Sequence, residues 1–371
     1  MNVLITGGAG FIGRHLTKEL LKSGCEVIVY DSLSPQIHGE DAKYQYVGKE
    51  AFVLGDVCDG HLLAKYIENV NVVYHLAAET GTGQSMYQIR QYVNVNEIGT
   101  ATLLEAIAKS QKKDIQLVLA SSRSIYGEGA YRSSSGTIVQ PQPRSYEQLS
   151  EGVWEIKDRL GVSLEPIATS SNLPAKPGSI YAATKYSQEM LFKVFSEAQA
   201  IPCTILRFQN VYGEGQSLRN PYTGIISIFY NRMRQGLPIN IFEDGLESRD
   251  FVHVSDVVDA LISSVKHSVY GPPIVANIGS GDQTKVIDLA YLLSDVSELS
   301  IPIEVTGDFR VGDIRHCFAD LECARRTIGF SPKVSLRAGL ASFVSWAKDQ
   351  PEYQDDSDLA MNELAKHGLT K

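Results

Sequence analysis

The stretch that most constrains this chain is Val3-Leu4-Ile5-Thr6-Gly7-Gly8-Ala9-Gly10-Phe11-Ile12-Gly13. Three apolar residues predict a short buried strand, and a glycine-rich turn follows at once. Arg14-His15-Leu16-Thr17-Lys18-Glu19-Leu20-Leu21 then continues as a helix, with apolar residues at 12, 16 and 20. The glycines fit both Gly8-x-Gly10-x-x-Gly13 and the looser Gly7-x-x-Gly10-x-x-Gly13. In a strand–turn–helix, one glycine permits the turn, one lets the backbone approach a pyrophosphate, and one lets helix and strand pack closely. The helix N-terminus adds free N–H donors and a favourable dipole for an anion.

A second signal makes this a dinucleotide site rather than a flexible loop. Cys25-Glu26-Val27-Ile28-Val29-Tyr30-Asp31 reads as the next strand and ends in an acid. Asp31 lies 18 residues beyond Gly13, near the spacing of a carboxylate that accepts from a ribose hydroxyl. A carboxylate there repels a 2′-phosphate, so the expected cofactor is NAD rather than NADP.

The first half of the chain alternates strands and helices. Ala51–Val57, Val72–Ala78 and Ile115–Ser122 are apolar strand candidates, and residues 96–110 read as a helix. This alternation predicts an α/β fold with a doubly wound parallel sheet covered on both faces. Ligands of such sheets bind beyond the carboxyl ends of the strands. Asp56, Ala77, Ala78 and Ser122 sit at such ends.

Residues 128–180 form a long polar insertion, expected to be a lid or an oligomer contact, with a short helix around Glu147–Lys157. Tyr181–Gln199 reads as a helix capped by Ser179, with Tyr186, Met190, Val194 and Ala198 recurring every four residues. Cys203–Gln209 and Ile239–Phe242 are strand-like, and 256–266, 285–295, 320–329 and 336–348 helical. The domain reading is 1–200 for the nucleotide-binding part, and 201–348 for a smaller mixed α/β substrate-binding part interleaved with it. Residues 349–371 form a tail, expected to be a solvated or loosely docked helix.

Composition narrows the partners. Of 371 residues, 43% are hydrophobic and 21% charged, and the net charge is −9 without a basic run, which argues against nucleic acid as a partner. The five cysteines are dispersed without a CxxC pair, as in a protein of the reducing cytoplasm. A strand beginning at residue 3 leaves no room for a signal peptide, and no apolar run reaches the ~18 residues of a membrane span. No His, Cys or carboxylate cluster has metal-ligand spacing, and His75 and His253, each within an apolar run, read as core residues.

The reactive pair is Tyr181 and Lys185, four residues apart and so on one helix face. A phenol has a pKa of about 10 and is a poor base at neutral pH. A nearby ammonium and an oxidised nicotinamide favour the phenolate. Lowering the pKa by three units takes roughly 4 kcal/mol of differential stabilisation. Tyr181 then takes a proton from a sugar hydroxyl, while Lys185 bonds the cofactor ribose. Tyr-x-x-x-Lys alone is common on helix surfaces. Here it follows a dinucleotide turn and a strand ending in Ser121-Ser122.

Taken together, these motifs resemble the extended short-chain dehydrogenase/reductase family, particularly its NAD-dependent nucleotide-sugar epimerases and dehydratases. The resemblance rests on residues 6–13, Asp56-Val57, His75-Leu76-Ala77-Ala78, and Ser121-Ser122-Arg123-Ser124-Ile125-Tyr126-Gly127. It continues through Tyr181-x-x-x-Lys185, Arg207–Gly213, Arg249–Val254 and Gly312-Asp313-Ile314-Arg315-His316. It implies a Rossmann-type fold and a catalytic Ser122, Tyr181 and Lys185. NAD would lie against Gly7, Gly10, Phe11, Ile12, Gly13, Asp31, Asp56, Val57, Leu76, Ala77, Ala78, Tyr181 and Lys185. It also implies Asn210, Arg249 and Arg315 on the diphosphate of a nucleotide sugar, with Arg219 as a further candidate. Thr80, Ser122 and Ser124 are expected at the sugar. A homodimer through helices near 96–110 and 181–199 completes the expectation.

Hexose dehydratases resembling this chain carry Asp and Glu after the catalytic Ser or Thr; here those positions hold Arg123 and Ser124, which cannot serve as the carboxylic acid pair. Related decarboxylases usually have a glutamate where Ser124 stands. Reversible oxidation at one carbon remains, the chemistry of a 4-epimerase with a transient 4-keto sugar. The alternatives are a decarboxylase or reductase on the same scaffold, and a non-catalytic NAD-binding protein. Residues 79–87 and the insertion look like epimerases acting on dTDP-6-deoxyhexoses, of the dTDP-L-rhamnose type; UDP-hexose is the other candidate. Arg123 itself is expected in a structural ion pair that points away from the substrate.

Overall fold

The computed structural model describes residues 1–220, 222, 224–353, 355 and 357–370. Seven strands form its centre: β1 (Asn2–Thr6), β2 (Glu26–Asp31), β3 (Ala51–Leu54), β4 (Val72–His75), β5 (Gln116–Ser122), β6 (Cys203–Phe208) and β7 (Ile274–Ile278). Their spatial order is 3-2-1-4-5-6-7, and every neighbouring pair is parallel.

The strands read as apolar runs because both faces are covered. Successive side chains alternate between two cores. Val3 and Ile5 pack with Val29, Tyr74, Val118, Leu206 and Ala276 on one side. Leu4 packs with Tyr30, Val73, Leu117, Leu119 and Ile205 on the other. Helices α1 (Phe11–Lys22) and α4 (Val254–Lys266) cover the first face through Leu16, Leu20, Val257 and Leu261. Helices α2 (Gly99–Ser110) and α3 (Ile180–Gln199) cover the second through Leu103, Ile107 and Phe192. The strand order reverses between β1 and β4, so the crevice for a ligand opens beyond Thr6 and its register partner His75.

The order of chain and sheet interleaves the two halves. Strands β6 and β7 come from beyond residue 200, and a further core lies outside the sheet, built from Tyr212, Phe229, Ile241, Phe251, Leu289, Leu340 and Phe343. Its small sheets are mixed: Ile239–Ile241 pairs in parallel with Ile303–Val305, while Ser248–Arg249 lies between antiparallel Thr284–Lys285 and parallel His316–Cys317.

The insertion departs from its expected form. The helix placed around Glu147–Lys157 is confined to Tyr146–Ser150. Gly152, at φ +70, turns the chain after its last turn, and Lys157 pairs with Ser163 in an antiparallel bridge. The insertion has its own three-stranded antiparallel sheet, Ile138–Val139, Ala130–Arg132 and Glu165–Ile167. Of the two forms expected for the tail helix, solvated or docked, the structure has the docked one: Ser357–Lys366 packs with Ala360 and Leu364 buried. Among the described residues no helix is long and apolar enough to cross a membrane.

The stripe of α3 expected from its four-residue repeat is not its buried face. Met190 and Val194 are exposed at 43% and 62%. Ala182, Lys185, Gln188, Glu189, Phe192 and Ser196 turn inward instead. The polar members of that face are buried because they are partnered: Glu189 takes Arg207 at 2.9 and 2.7 Å and the Ser121 hydroxyl at 2.6 Å.

Candidate active site

The glycine turn is built by close backbone approach. A Cβ on Gly7, which has φ +71, would stand 2.6 Å from the Ala77 nitrogen at the end of β4. One on Gly13 would stand 2.6 Å from the Gly8 Cα. Gly10 is different: the same test meets only the Gly7 carbonyl, at 3.2 Å. It is the N-cap of α1 and supplies no side-chain cap, so the first N–H groups of the helix, beginning at Phe11 and Ile12, have no partner within it. Asp31 ends β2 beside this turn and accepts from Ala9 N–H at 3.0 Å and Leu33 N–H at 2.8 Å. Asp56 follows β3 and accepts from Cys58 N–H at 2.8 Å. Val57 packs beneath Gly99, and Leu76 N–H bonds the Thr6 carbonyl at 3.0 Å. Ala77 and Ala78 continue past the strand end, half-buried.

Ser179 caps α3 by accepting from Ala182 N–H, and this sets Tyr181 in the first turn. The Tyr181 backbone N–H donates to Ser85 Oγ at 3.0 Å, fixing the helix start against the loop after β4. Burial raises the phenol pKa; the Ser122 hydroxyl, a hydrogen-bond partner, and the nearby Arg123 cation oppose that rise. Lys185, one turn on, is 3% exposed and has no hydrogen bond to protein among the described residues. Burial pushes its ammonium down to about 7, against the pull of Glu189. Asn96 couples these elements. It lies in a π-helical turn, Val93–Ile98, with Oδ1 on Glu79 N–H at 2.8 Å and Nδ2 on the Thr184 hydroxyl at 2.9 Å. Sequence reasoning missed it, because Asn94 in the same run is an equal but exposed amide; only burial, which requires a partner, sets Asn96 apart.

A cavity of about 430 Å³ opens beside Tyr181. Thr80, Ser122, Ser124, Asn210 and Arg249 of the expected substrate set line it. Ser122 Oγ accepts from Ser124 N–H at 3.2 Å. Arg249 donates to Asp313 Oδ1 at 2.9 Å, and Arg310 takes the other oxygen of the same carboxylate at 2.9 Å. Burial alone would raise the Asp313 carboxyl, but Arg310, Arg249, Arg144 and Arg123 hold it well below the ordinary range. One carboxylate thus spaces two guanidinium groups along the wall, an arrangement suited to a diphosphate.

Two expected arginines are elsewhere. Arg315 is fully buried. Its guanidinium is spent on Glu155 at 2.6 and 2.9 Å, Glu243 at 2.9 Å and Asp244 at 2.7 and 2.9 Å. It fastens the insertion to the 243–244 loop and is not among the residues lining the cavity. Arg219 is exposed and stacks over the Tyr353 ring, 4.5 Å from its centroid, outside the cavity lining. Arg310 and Asp313, which do line it, were missed as contacts. They precede Arg315 in one short run, and Gly312 at φ +83 turns the chain between them, so spacing alone does not say which arginine faces in.

Arg123 is the opposite case. It does not point away: it lines the cavity, and its Nε donates to Asn210 Oδ1 at 2.7 Å. Its Nη1 is buried without a partner, as is Ser124 Oγ. Among the described residues it forms no ion pair. Glu247, also missed, lines the cavity with an Oε2 that accepts no hydrogen bond, and burial pushes its carboxyl up to about 7. The carboxylates of Glu243, Asp244 and Glu247 approach one another within 4.8 Å, but Arg315 supplies the positive charge there. His75 is a satisfied core residue, held by Thr6 at 2.7 Å and Thr100 at 2.9 Å. His253 is buried against Glu214 at 3.2 Å.

The glycine turn, the uncapped helix end, Asp31 and the unpartnered buried ammonium of Lys185 fit a dinucleotide, and the adjoining arginines fit a phosphorylated substrate. The whole constellation belongs to one class of protein: the chain is a member of the NAD dependent epimerase/dehydratase family, whose model matches residues 3–146 and 161–279. It is an NAD-dependent enzyme of that family. Among its relatives is the dTDP-L-rhamnose 4-epimerase of Burkholderia thailandensis, 37% identical over 347 residues, which span 93% of this chain and 94% of the relative. The UDP-N-acetyl-alpha-D-glucosaminuronate decarboxylase of Bacillus cytotoxicus is 28% identical, over 93% of this chain and 97% of that one. Among solved structures, the UDP-glucose 4-epimerase of Thermotoga maritima with UDP-glucose has a TM-score of 0.75 and 30% identity, covering 94% of this chain and 99% of that one.

Proposed function

We propose that this enzyme is a nucleotide-sugar 4-epimerase acting through a transient 4-keto sugar, on a dTDP-6-deoxyhexose of the dTDP-L-rhamnose type; UDP-hexose is the second candidate. The observation that carries this reading is that Tyr181 and Ser122 line one cavity together with Arg123 and Ser124, the two positions after the serine. Neither supplies the carboxylic acid that dehydration needs. Ser124, where the decarboxylases usually carry glutamate, also weighs against the reading drawn from the 28% relative.

NAD, when bound, supplies the electron acceptor and donor for the sugar carbon and is regenerated each turnover. Tyr181 takes the proton from the C4 hydroxyl as that carbon is oxidised and returns it when the carbon is reduced. Ser122 orients the same oxygen by hydrogen bonding. Lys185 holds the cofactor ribose and favours the phenolate. Arg249, with Arg310 beside it, holds the diphosphate while the sugar turns.

The test is a panel of UDP-, dTDP- and GDP-sugars followed by NMR. A new C4 stereoisomer without net NADH is the expected outcome; carbon dioxide release would instead identify a decarboxylase, and steady cofactor consumption a reductase. Tyr181→Phe should cost about 10²–10⁴ in rate and keep NAD bound.

A homodimer is part of the proposal. Ile98, Met190 and Val194 are exposed at 51%, 43% and 62% on the helical segments expected at the interface. The five cysteines are free thiols, which suits the cytoplasm.

A further inference from the structure

Among the described residues, four buried polar atoms without a hydrogen-bond partner belong to three residues of one stretch of the cavity wall. They are Arg123 Nη1, Ser124 Oγ, and both Nε2 and Oε1 of Gln209. Gln209 is 5% exposed. A buried amide with neither end paired has lost its hydration at both, and its neighbours do not relieve it. A Cβ on Gly279, just past β7, would stand 2.7 Å from Gln209 Cγ and would also meet the Asp250 carboxylate. That carboxylate is taken by the N–H groups of Ser280, Gly281 and Ala319 and by the Ser280 hydroxyl. The Cys317 thiol lies against the Arg123 guanidinium and is a weak acceptor.

The strands place this stretch beside the phenol. Ser122, the last residue of β5, is the hydrogen-bond partner of Tyr181 and stands opposite Phe208, the last residue of β6. Arg123 comes next on one strand end, and its charge acts on the same phenol. Gln209 comes next on the other, its N–H donating to the Ile278 carbonyl of β7 at 2.9 Å. Asn210, one residue further, accepts from Arg123 Nε at 2.7 Å. Gln209 is thus fixed between two residues tied across to Ser122 and Arg123. The cavity lining does not include Gly7, Ala77 or Lys185, so these groups face the substrate's side of the phenol rather than the cofactor's.

The unpaired atoms set the chemistry of what fits. Nη1 and Nε2 only donate, Oε1 only accepts, and Oγ does either. A phosphate or carboxylate only accepts and would leave Oε1 unmet. A sugar hydroxyl does both. We propose that Gln209 is a specificity-determining residue: with Arg123 and Ser124 it binds a hydroxyl of the sugar ring next to the reacting carbon. In the 4-epimerase reading, on which this rests, that hydroxyl is the one on C3, because C5 carries the ring oxygen and the exocyclic carbon. The hydroxyl donates its proton to Oε1 and offers its lone pairs to the donors around it.

The test uses NAD-loaded, full-length protein and calorimetry with two sets of probes: dTDP-L-rhamnose, its 3-deoxy analogue and dTDP; and UDP-glucose, its 3-deoxy analogue and UDP. For the sugar that binds, wild type should lose about 10- to 100-fold in affinity on the 3-deoxy analogue, since the buried amide is then left unpaired. Gln209→Met, close in length and without a hydrogen-bonding amide, should weaken that sugar about 3- to 10-fold. It should narrow the 3-deoxy gap by a similar factor, with the bare nucleoside diphosphate unchanged and NAD retained. Ser124→Ala should narrow the gap in the same direction. Because the free amide is unpaired, Gln209→Met should unfold at the wild-type denaturant midpoint or above it. A lower midpoint, with sugar affinity and 3-deoxy gap unmoved, would make Gln209 a structural residue and overturn the contact. An equal loss for the bare diphosphate would move Gln209 to the phosphates, and a loss of NAD would move it to the cofactor; either overturns the contact, as does failure of both sugars to bind wild type. A narrowed 3-deoxy gap without any C4 epimer in the nucleotide-sugar panel would uphold the contact and overturn the 4-epimerase reading instead.

Discussion

At the scale of single residues, the site is governed by how each charge is housed. Lys185 is displaced to about 7 by burial, so near neutrality its ammonium is only partly charged. Arg123 keeps its charge at every working pH and faces the same cavity as Tyr181. A cation stabilises the phenolate, so removing it raises the phenol pKa. Arg123→Met should therefore move the acid limb of the kcat profile to higher pH, and Arg123→Lys should restore part of the shift; a pH–rate series reads both. Residues of this kind divide by how far their partners lie in sequence. Gly7, Gly10, Gly13 and Asp31 were legible because turn, helix start and acid are neighbours along the chain. Tyr181 and Lys185 were legible because one helical turn joins them. Arg123 was misplaced because its partner, Asn210, is 87 residues away. Arg310 was passed over because only the fold tells it from Arg315.

At the scale of elements, polar fastenings decide which segments hold together. The insertion is joined to the substrate side by Arg315, with Glu155 on the insertion and Glu243 and Asp244 on the facing loop. Removing one partner of a buried ion network costs about 3–5 kcal/mol, because the charges left behind are unpaired. Arg315→Met should lower the unfolding midpoint accordingly, measured by denaturant titration, without altering NAD stoichiometry. The insertion was recognisable as an insertion from its polar composition, yet its small antiparallel sheet was not. Strands of two or three residues carry too few positions for an alternation to register. The choice between a solvated and a docked tail was not legible for a related reason: the apolar Leu364 has its partner, Gly83, in a loop nearly 300 residues earlier in the chain.

At the scale of the whole molecule, the doubly wound sheet was readable from its strands, since each is apolar on both faces and bounded by polar turns. The four-residue repeat on α3 was also real, but it marked a surface the single chain leaves bare. Met190 and Val194 remain exposed while the other side of the helix packs on the sheet. Val194→Glu on this face tests the proposed homodimer: it should shift that dimer to monomer in light scattering while the monomer keeps NAD. The sheet has one more consequence, for the order of events during synthesis. Strand β5, which carries Ser122, pairs on its far side with β6, and β6 with β7; those two strands leave the ribosome long after the glycine turn. A nascent chain ending before residue 203 has its cofactor turn but exposes the bare edge of β5, so chaperone protection in the cell should persist until the last quarter of the polypeptide is being made.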